Sequence, residues 1–223
     1  MGRREGLLAV LWAAPRLAWS HAPGFLHLQW SLLLRRHYTV EFRGKDLPYL
    51  YDLYNRTSMT PRCIEAPIAR ELLLAARGRR VLEVGNVLSH YYAVEHEIID
   101  KYEEAPNVRN EDILQFQPTG PYDLIISIST LEHVGWDEEP RDPAAAVRAA
   151  RRLRSLLAPN GEALVTFALG DHPQLDELAR GEPPFFAETR TYRRGAHGRW
   201  TPLTAGDLSD GALLVGVIRP GDS

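Results

Sequence analysis

The chain has 223 residues, with 26 Lys and Arg against 29 Asp and Glu, a formal net charge of −3 and one cysteine, Cys63. That length supports a substantial core without staples. A single cysteine excludes an internal disulfide and leaves no second cysteine for a structural zinc site, and the slight acidic excess lacks the basic surplus of a nucleic-acid binder.

Residues 1–38 read as an N-terminal extension. Arg3-Arg4 ahead of Leu7 to Ala14 imitates the charged and apolar parts of an export signal, but Pro15 and Arg16 cut the apolar run early. No stretch is long enough to cross a bilayer. The expectation is amphipathic or loosely packed helices whose Trp12, Trp19, Phe25 and Trp30 cover the main domain or a partner subunit. Arg16, Arg35 and Arg36 flank apolar residues in a way that also suits a peripheral membrane contact. The expected location is the cytoplasm, with such a contact as its extension.

Residues 39–223 form the expected main domain, opened by a helical cap over 39–78. Tyr38 to Phe42 alternates like a short strand and Leu47 to Tyr54 suggests a helix. A second helix starts near Pro61 and runs through Ala76, where Gly78 ends it. On it, Arg62 and Glu65, with Arg56 just before, are candidates for a ligand carboxylate or ribose and otherwise for surface ion pairs.

Val81-Leu82-Glu83-Val84-Gly85-Asn86-Val87 reads as a buried strand running into a tight turn, where Gly85 lets the backbone approach a ligand. A dinucleotide fingerprint would place glycines at Val87 and Ser89, so the turn alone is weak evidence. His96 to Asp100 is a second short apolar run ending in an acid, the place where a carboxylate meets ribose hydroxyls. Asn110-Glu111-Asp112 follows. Tyr122 to Ile128 is a β-branched core strand, and Ser129 to Val134 leaves its end. Pro143 then opens a helix carrying Arg148, Arg151, Arg152 and Arg154, read as a solvated surface. Leu156 to Gly161 turns into the strand Ala163 to Phe167. Phe185 to Arg194 and Ala212 to Ile218 complete the series as strands joined by a loop through Gly195, Gly198 and Trp200.

In this order the motifs resemble those of the class I S-adenosylmethionine-dependent methyltransferases, from about residue 65 to residue 170. Leu82-Glu83-Val84-Gly85 is similar to that superfamily's first motif, Asp100 to its ribose acid, and Asp112 to the acid that meets the adenine amino group. Leu131-Glu132-His133-Val134 resembles the motif after its fourth strand, and Leu157-Ala158-Pro159-Asn160-Gly161 the turn before its fifth. The run Ser127 to Asp137, with Val87 to Tyr91, resembles a poorly characterised bacterial branch. The resemblance implies an α/β fold: a doubly wound, mostly parallel seven-stranded Rossmann-like sheet with an antiparallel C-terminal edge pair. It implies S-adenosyl-L-methionine as cofactor, held by Glu83, Gly85, Asn86, Asp100, Asp112 and Ser129. Two departures stand out. Val87 replaces the usual middle glycine where the methionine part of the cofactor would pass, and Asp100 lies only fifteen positions after Gly85, which makes Glu103 its rival for the ribose.

His133, just beyond the fourth strand, is the first candidate for taking a proton from the acceptor, since imidazole titrates near neutral pH. The plainer reading is that it hydrogen-bonds its own loop. His172 is a second candidate, with Asp171 orienting its ring, against the plainer reading of an exposed loop histidine. His90, Tyr91 and Tyr92 could present aromatic faces to a sulfonium or pack under a helix. Trp136 could stack on adenine, line the acceptor pocket or be buried. Asp137-Glu138-Glu139 reads as a solvated face, and no metal is expected. The leading function is methyl transfer to a small polar acceptor, such as a saccharide or its precursor. The alternatives are a noncatalytic nucleoside- or partner-binding protein and, further off, a nicotinamide-dependent oxidoreductase.

Overall fold

The computed structural model describes residues 30, 33, 34 and 37–221. The expectations resting on Arg3, Arg4, Leu7 to Ala14, Pro15, Arg16, Trp12, Trp19, Phe25, Arg35 and Arg36 lie outside them. Trp30 is 59% exposed. Among the described residues, no helix is long and apolar enough to cross a membrane.

β1 (Thr39–Phe42) and β2 (Lys45–Pro48) form an antiparallel hairpin in which Phe42 faces Lys45 and Val40 faces Leu47. Its two-residue turn, Arg43-Gly44, has φ of +50° and +78°, the twist that matches flanking strands. This overturns the helix expected over Leu47 to Tyr54 and, with it, a wholly helical cap. The turn fixes a register that buries Val40, Phe42 and Leu47 together, and Pro48 has no N–H for a helix interior. A 3-10 turn at Tyr54–Met59 follows. α1 (Arg62–Ala75) then begins behind Pro61, as expected, and buries Ile64, Ile68 and Leu72.

The main sheet contains β3 (Val81–Val84), β4 (Glu97–Ile99), β5 (Val108–Arg109), β6 (Tyr122–Ile128), β7 (Leu157–Ala168), β8 (Glu188–Arg194), β9 (Trp200–Pro202) and β10 (Leu213–Ile218). Their spatial order is β5-β4-β3-β6-β7-β10-β8-β9. The ladder from β5 to β7 is parallel, β10 runs antiparallel to both β7 and β8, and β9 runs antiparallel to β8. The doubly wound sheet with its antiparallel C-terminal edge is therefore as expected, but it has eight strands instead of seven. Trp200, read as part of a loop, pairs with Arg194 as the first residue of β9. The Tyr49 hydroxyl holds it there, accepting the Trp200 N–H at 2.7 Å and donating to the Trp200 carbonyl at 3.2 Å.

The two faces of the sheet bury separate cores, as the strand period of two requires. Ala163, Val165 and Phe167 of β7 pack with Ala146, Ala149 and Leu153 of α2 (Ala145–Ser155) and with Leu175 of α3 (Pro173–Arg180). Leu124, Ile126 and Ile128 of β6 pack instead with Ile64 and Ile68 of α1 and with Val40 and Phe42 of the hairpin. The α3 helix was not anticipated from the sequence. The strand order reverses between β3 and β6, so the crevice beyond their carboxyl ends is where an open α/β sheet binds its ligand.

Candidate functional site

A cavity of 270 Å³ occupies that crevice, with Val84, Ile99, Ile113 and Val134 among its apolar walls. Gly85, at the end of β3, has φ +86°, and a Cβ there would lie 2.2 Å from Thr130 Oγ1. Of the residue types, only glycine tolerates both conditions at this position. A single 3-10 turn at Leu88–His90 takes the place of a longer helix, in keeping with the short spacing from Gly85 to Asp100.

Asp100 lines the cavity and ties the second parallel strand to the glycine turn. Its Oδ2 accepts the Asn86 N–H at 3.0 Å, and its Oδ1 accepts the N–H groups of Tyr102 and Glu103 at 2.9 and 2.8 Å. Three of about four acceptor positions on the carboxylate are thus filled, leaving one on Oδ2. Glu103, the rival, does not border the cavity: it accepts from Asn86 Nδ2 at 2.7 Å and lies 3.0 Å from His90 Nε2. Asp112 borders the cavity too, with Oδ1 on the Leu114 N–H and Oδ2 3.0 Å from Lys101 Nζ. The same ammonium reaches Glu138 Oε1 at 2.7 Å. Glu138, with Asp112, holds the Lys101 ammonium above its usual range, and Lys101 lowers Glu138 in turn.

Gly85, Asn86, Ser129 and His133 also line the cavity, so the structure gathers five of the six expected cofactor residues and the first histidine around one space. Glu83 is the exception. It is 0% exposed and shapes the turn from beneath, accepting the Val87 and Leu88 N–H groups at 2.8 and 2.7 Å and meeting His96 Nε2 at 2.6 Å. Val87 borders the cavity while packing on the core under α1. Ser129, at φ +43°, donates its hydroxyl to Glu65 Oε1 at 2.7 Å. His133 is well exposed, with Nδ1 2.7 Å from Asp137 Oδ2.

Several expectations need correction. His172 is no exposed loop residue: it is fully buried, caps α3 by accepting the Leu175 N–H, and packs against Trp136 with ring centroids 4.6 Å apart and the planes tilted by 48°. Burial lowers its pKa, and it does not border the cavity; Asp171 makes no hydrogen bond to its ring. Trp136 lies between His172 and the Arg141 guanidinium, away from the cavity wall. His90 stacks on Tyr54 with centroids 4.1 Å apart, and Tyr91 and Tyr92 pack toward the core under α1. Arg62 and Glu65 form a buried pair instead of a surface one. Of the arginines on α2, Arg148 pairs with Asp142 and Arg152 donates to the Phe116 carbonyl. Neither the contact of Thr130 with Gly85 nor Lys101 spanning Asp112 and Glu138 carries a signal in the sequence.

No protein-family model and no curated protein matches the sequence. Among solved structures, the N-methyltransferase NodS from Bradyrhizobium japonicum WM9, in complex with S-adenosyl-L-homocysteine, superposes with a TM-score of 0.45 at 17% identity over 77% of this chain and 98% of that one. The 1,6-didemethyltoxoflavin-N1-methyltransferase of Burkholderia thailandensis gives 0.47 at 17% over 74% and 79%. A TehB-like SAM-dependent methyltransferase from Corynebacterium glutamicum gives 0.41 at 20% over 69% and 86%. With every TM-score below 0.5, these likenesses say nothing about the acceptor or the role of any residue. Parallel strands ordered β5-β4-β3-β6-β7 and a reversed last strand inserted between β7 and β8 give this chain the fold of the class I S-adenosylmethionine-dependent methyltransferases.

Proposed function

We propose that the protein binds S-adenosyl-L-methionine in the cavity beyond β3 and transfers its methyl group to a small polar acceptor, with a saccharide or its precursor as the first class to try. The observation that carries this is the Asp100 carboxylate. It is fixed by the backbone of the glycine turn and keeps one acceptor position on Oδ2 beside the cavity. The residues present suit the group. Gly85 provides backbone without a side chain, Asp100 an acceptor for a ribose hydroxyl, Asp112 an acceptor for an adenine amino group, and Ile99 and Ile113 apolar wall for a purine.

When bound, S-adenosylmethionine supplies a methyl group already activated by its sulfonium. What remains for the chain is to orient the acceptor, exclude water and take up a proton. His133 is the group assigned to that proton, because it borders the cavity and Asp137 fixes its ring through Nδ1.

Calorimetry with S-adenosylhomocysteine tests the reading. Wild-type protein should bind it, and Asp100→Ala should bind it about 10–100-fold more weakly, as loss of a charge-assisted hydrogen bond predicts. Absence of binding to the wild type would sink the proposal.

A further inference from the structure

Three successive backbone N–H groups at the edge of the cavity are held by two carboxylates. Asp100 Oδ2 accepts that of Asn86 at 3.0 Å, and Glu83 Oε1 accepts those of Val87 and Leu88 at 2.8 and 2.7 Å. The last two open the 3-10 turn Leu88–His90, whose N-cap residue, Val87, has no polar side chain to serve them. Glu83 supplies the acceptor that such a helix end requires. Its second oxygen, Oε2, lies 2.6 Å from His96 Nε2, with the Glu83 and His96 side chains 1% and 5% exposed. A carboxylate offers acceptors alone, so Nε2 carries the hydrogen and donates it.

His96 stands immediately before β4 and Asp100 immediately after it. The strand is thereby tied to the glycine turn at both ends, directly through Asp100 and by way of Glu83 from His96. Removal of the His96 N–H would leave Glu83 Oε2 buried without that donor. A buried charge short of a donor is costly enough to drive rearrangement, and the N–H groups of Val87 and Leu88 depend on the same carboxylate.

The consequence falls on Val87. Its φ of −117° is open to any L-residue, but its side chain borders the nucleoside cavity while packing on the core under α1. A glycine here would need no such direction. A valine has to keep its isopropyl group on the core, or that group enters a cavity of only 270 Å³. Holding the N–H groups on either side of the Val87 Cα holds that direction. We propose that His96 is a positioning residue for the nucleoside site. By donating to Glu83, it keeps the backbone of residues 86–88 on the path that turns the Val87 side chain toward the core, and so lets a turn without the middle glycine admit an S-adenosyl nucleoside.

The role in binding rests on the proposed function; the hold on the turn does not, and the two are measured separately. His96→Phe keeps a ring and removes the N–H, and His96→Gln keeps an N–H of similar reach. His96→Ala takes the place of the first if phenylalanine prevents folding. In ligand-free protein, amide hydrogen exchange read by nuclear magnetic resonance should be about tenfold or more faster at Val87 and Leu88 in His96→Phe than in wild type. The reference is Val165 and Phe167 of β7, whose buried amides report global opening, and His96→Gln should stay close to wild type. In calorimetry, His96→Phe should bind S-adenosylhomocysteine about tenfold or more weakly, and Val87→Gly added to it should recover most of that loss. A histidine that served stability alone would lower the melting temperature with no such recovery. Unchanged exchange at Val87 and Leu88, faster exchange with unchanged affinity, or a loss that Val87→Gly leaves in place overturns the proposal. If S-adenosylhomocysteine does not bind wild type, the proposed function fails and the exchange rates alone decide whether His96 holds the turn.

Discussion

Gly85 and Glu132 differ in how far a sequence exposes them. The glycine is visible because a strand ends on it and its neighbours are small, and the structure adds Thr130 as the reason no Cβ fits. Glu132 stands in a recognisable motif, yet nothing in that motif says that one of its oxygens is sealed and unpaired. Its energetics can be read from stability. An acid whose folded pKa is raised to about 8 keeps its proton while the unfolded chain has lost it. Stability therefore falls as pH climbs from the ordinary carboxylate range toward 8. Glu132→Gln removes that loss. The variant should match wild type in chemical denaturation near pH 5 and exceed it by roughly 2–4 kcal/mol at pH 8. A variant no more stable than wild type at pH 8 would show that the carboxyl is better solvated than its surroundings indicate.

Of the β1–β2 hairpin, the first strand was legible at Tyr38 to Phe42, and the second was missed. Its strands have four residues each, too short for an alternating pattern to outweigh the helical look of Leu47 to Tyr54, and its turn depends on Arg43 adopting a positive φ. Arg43 also anchors the element. Its guanidinium reaches Glu162 of β7 at 2.8 Å and Glu188 of β8 at 3.0 Å, which lowers the Glu188 pKa. Removing it with Arg43→Ala should cost about 1–2 kcal/mol at neutral pH, modest because the groups are partly exposed. Glu188 is a depressed acid, so its share of the stabilisation is present above the unfolded carboxylate pKa. That share is lost as pH falls through the lower folded value. The wild-type advantage in urea titrations should therefore shrink toward pH 3. α3 escaped notice for a different reason: with eight residues it shows only about two turns of the helical pattern, and Leu175 is its one fully buried apolar residue, with Leu178 and Ala179 partly buried beside it.

For the whole molecule, the order of strands and helices was legible because β3, β6 and β7 are buried on both faces and read as near-continuous apolar runs. The eighth strand was not, since Trp200 is placed by Tyr49, a residue 151 positions away. One sheet separating two cores makes each core depend on the same strands. Far-ultraviolet dichroism and tryptophan fluorescence should then report a single unfolding transition. S-adenosylhomocysteine at a hundred times its dissociation constant should raise stability by about 2.7 kcal/mol by mass action. Lys101 carries a further consequence, one of kinetics. An adenine that bonds Asp112, as proposed, would meet a carboxylate already engaged by an ammonium that Glu138 also holds, so nucleoside entry would compete with that ion pair. Stopped-flow association should run below the diffusion limit, and Lys101→Met should speed it by freeing Asp112 in advance.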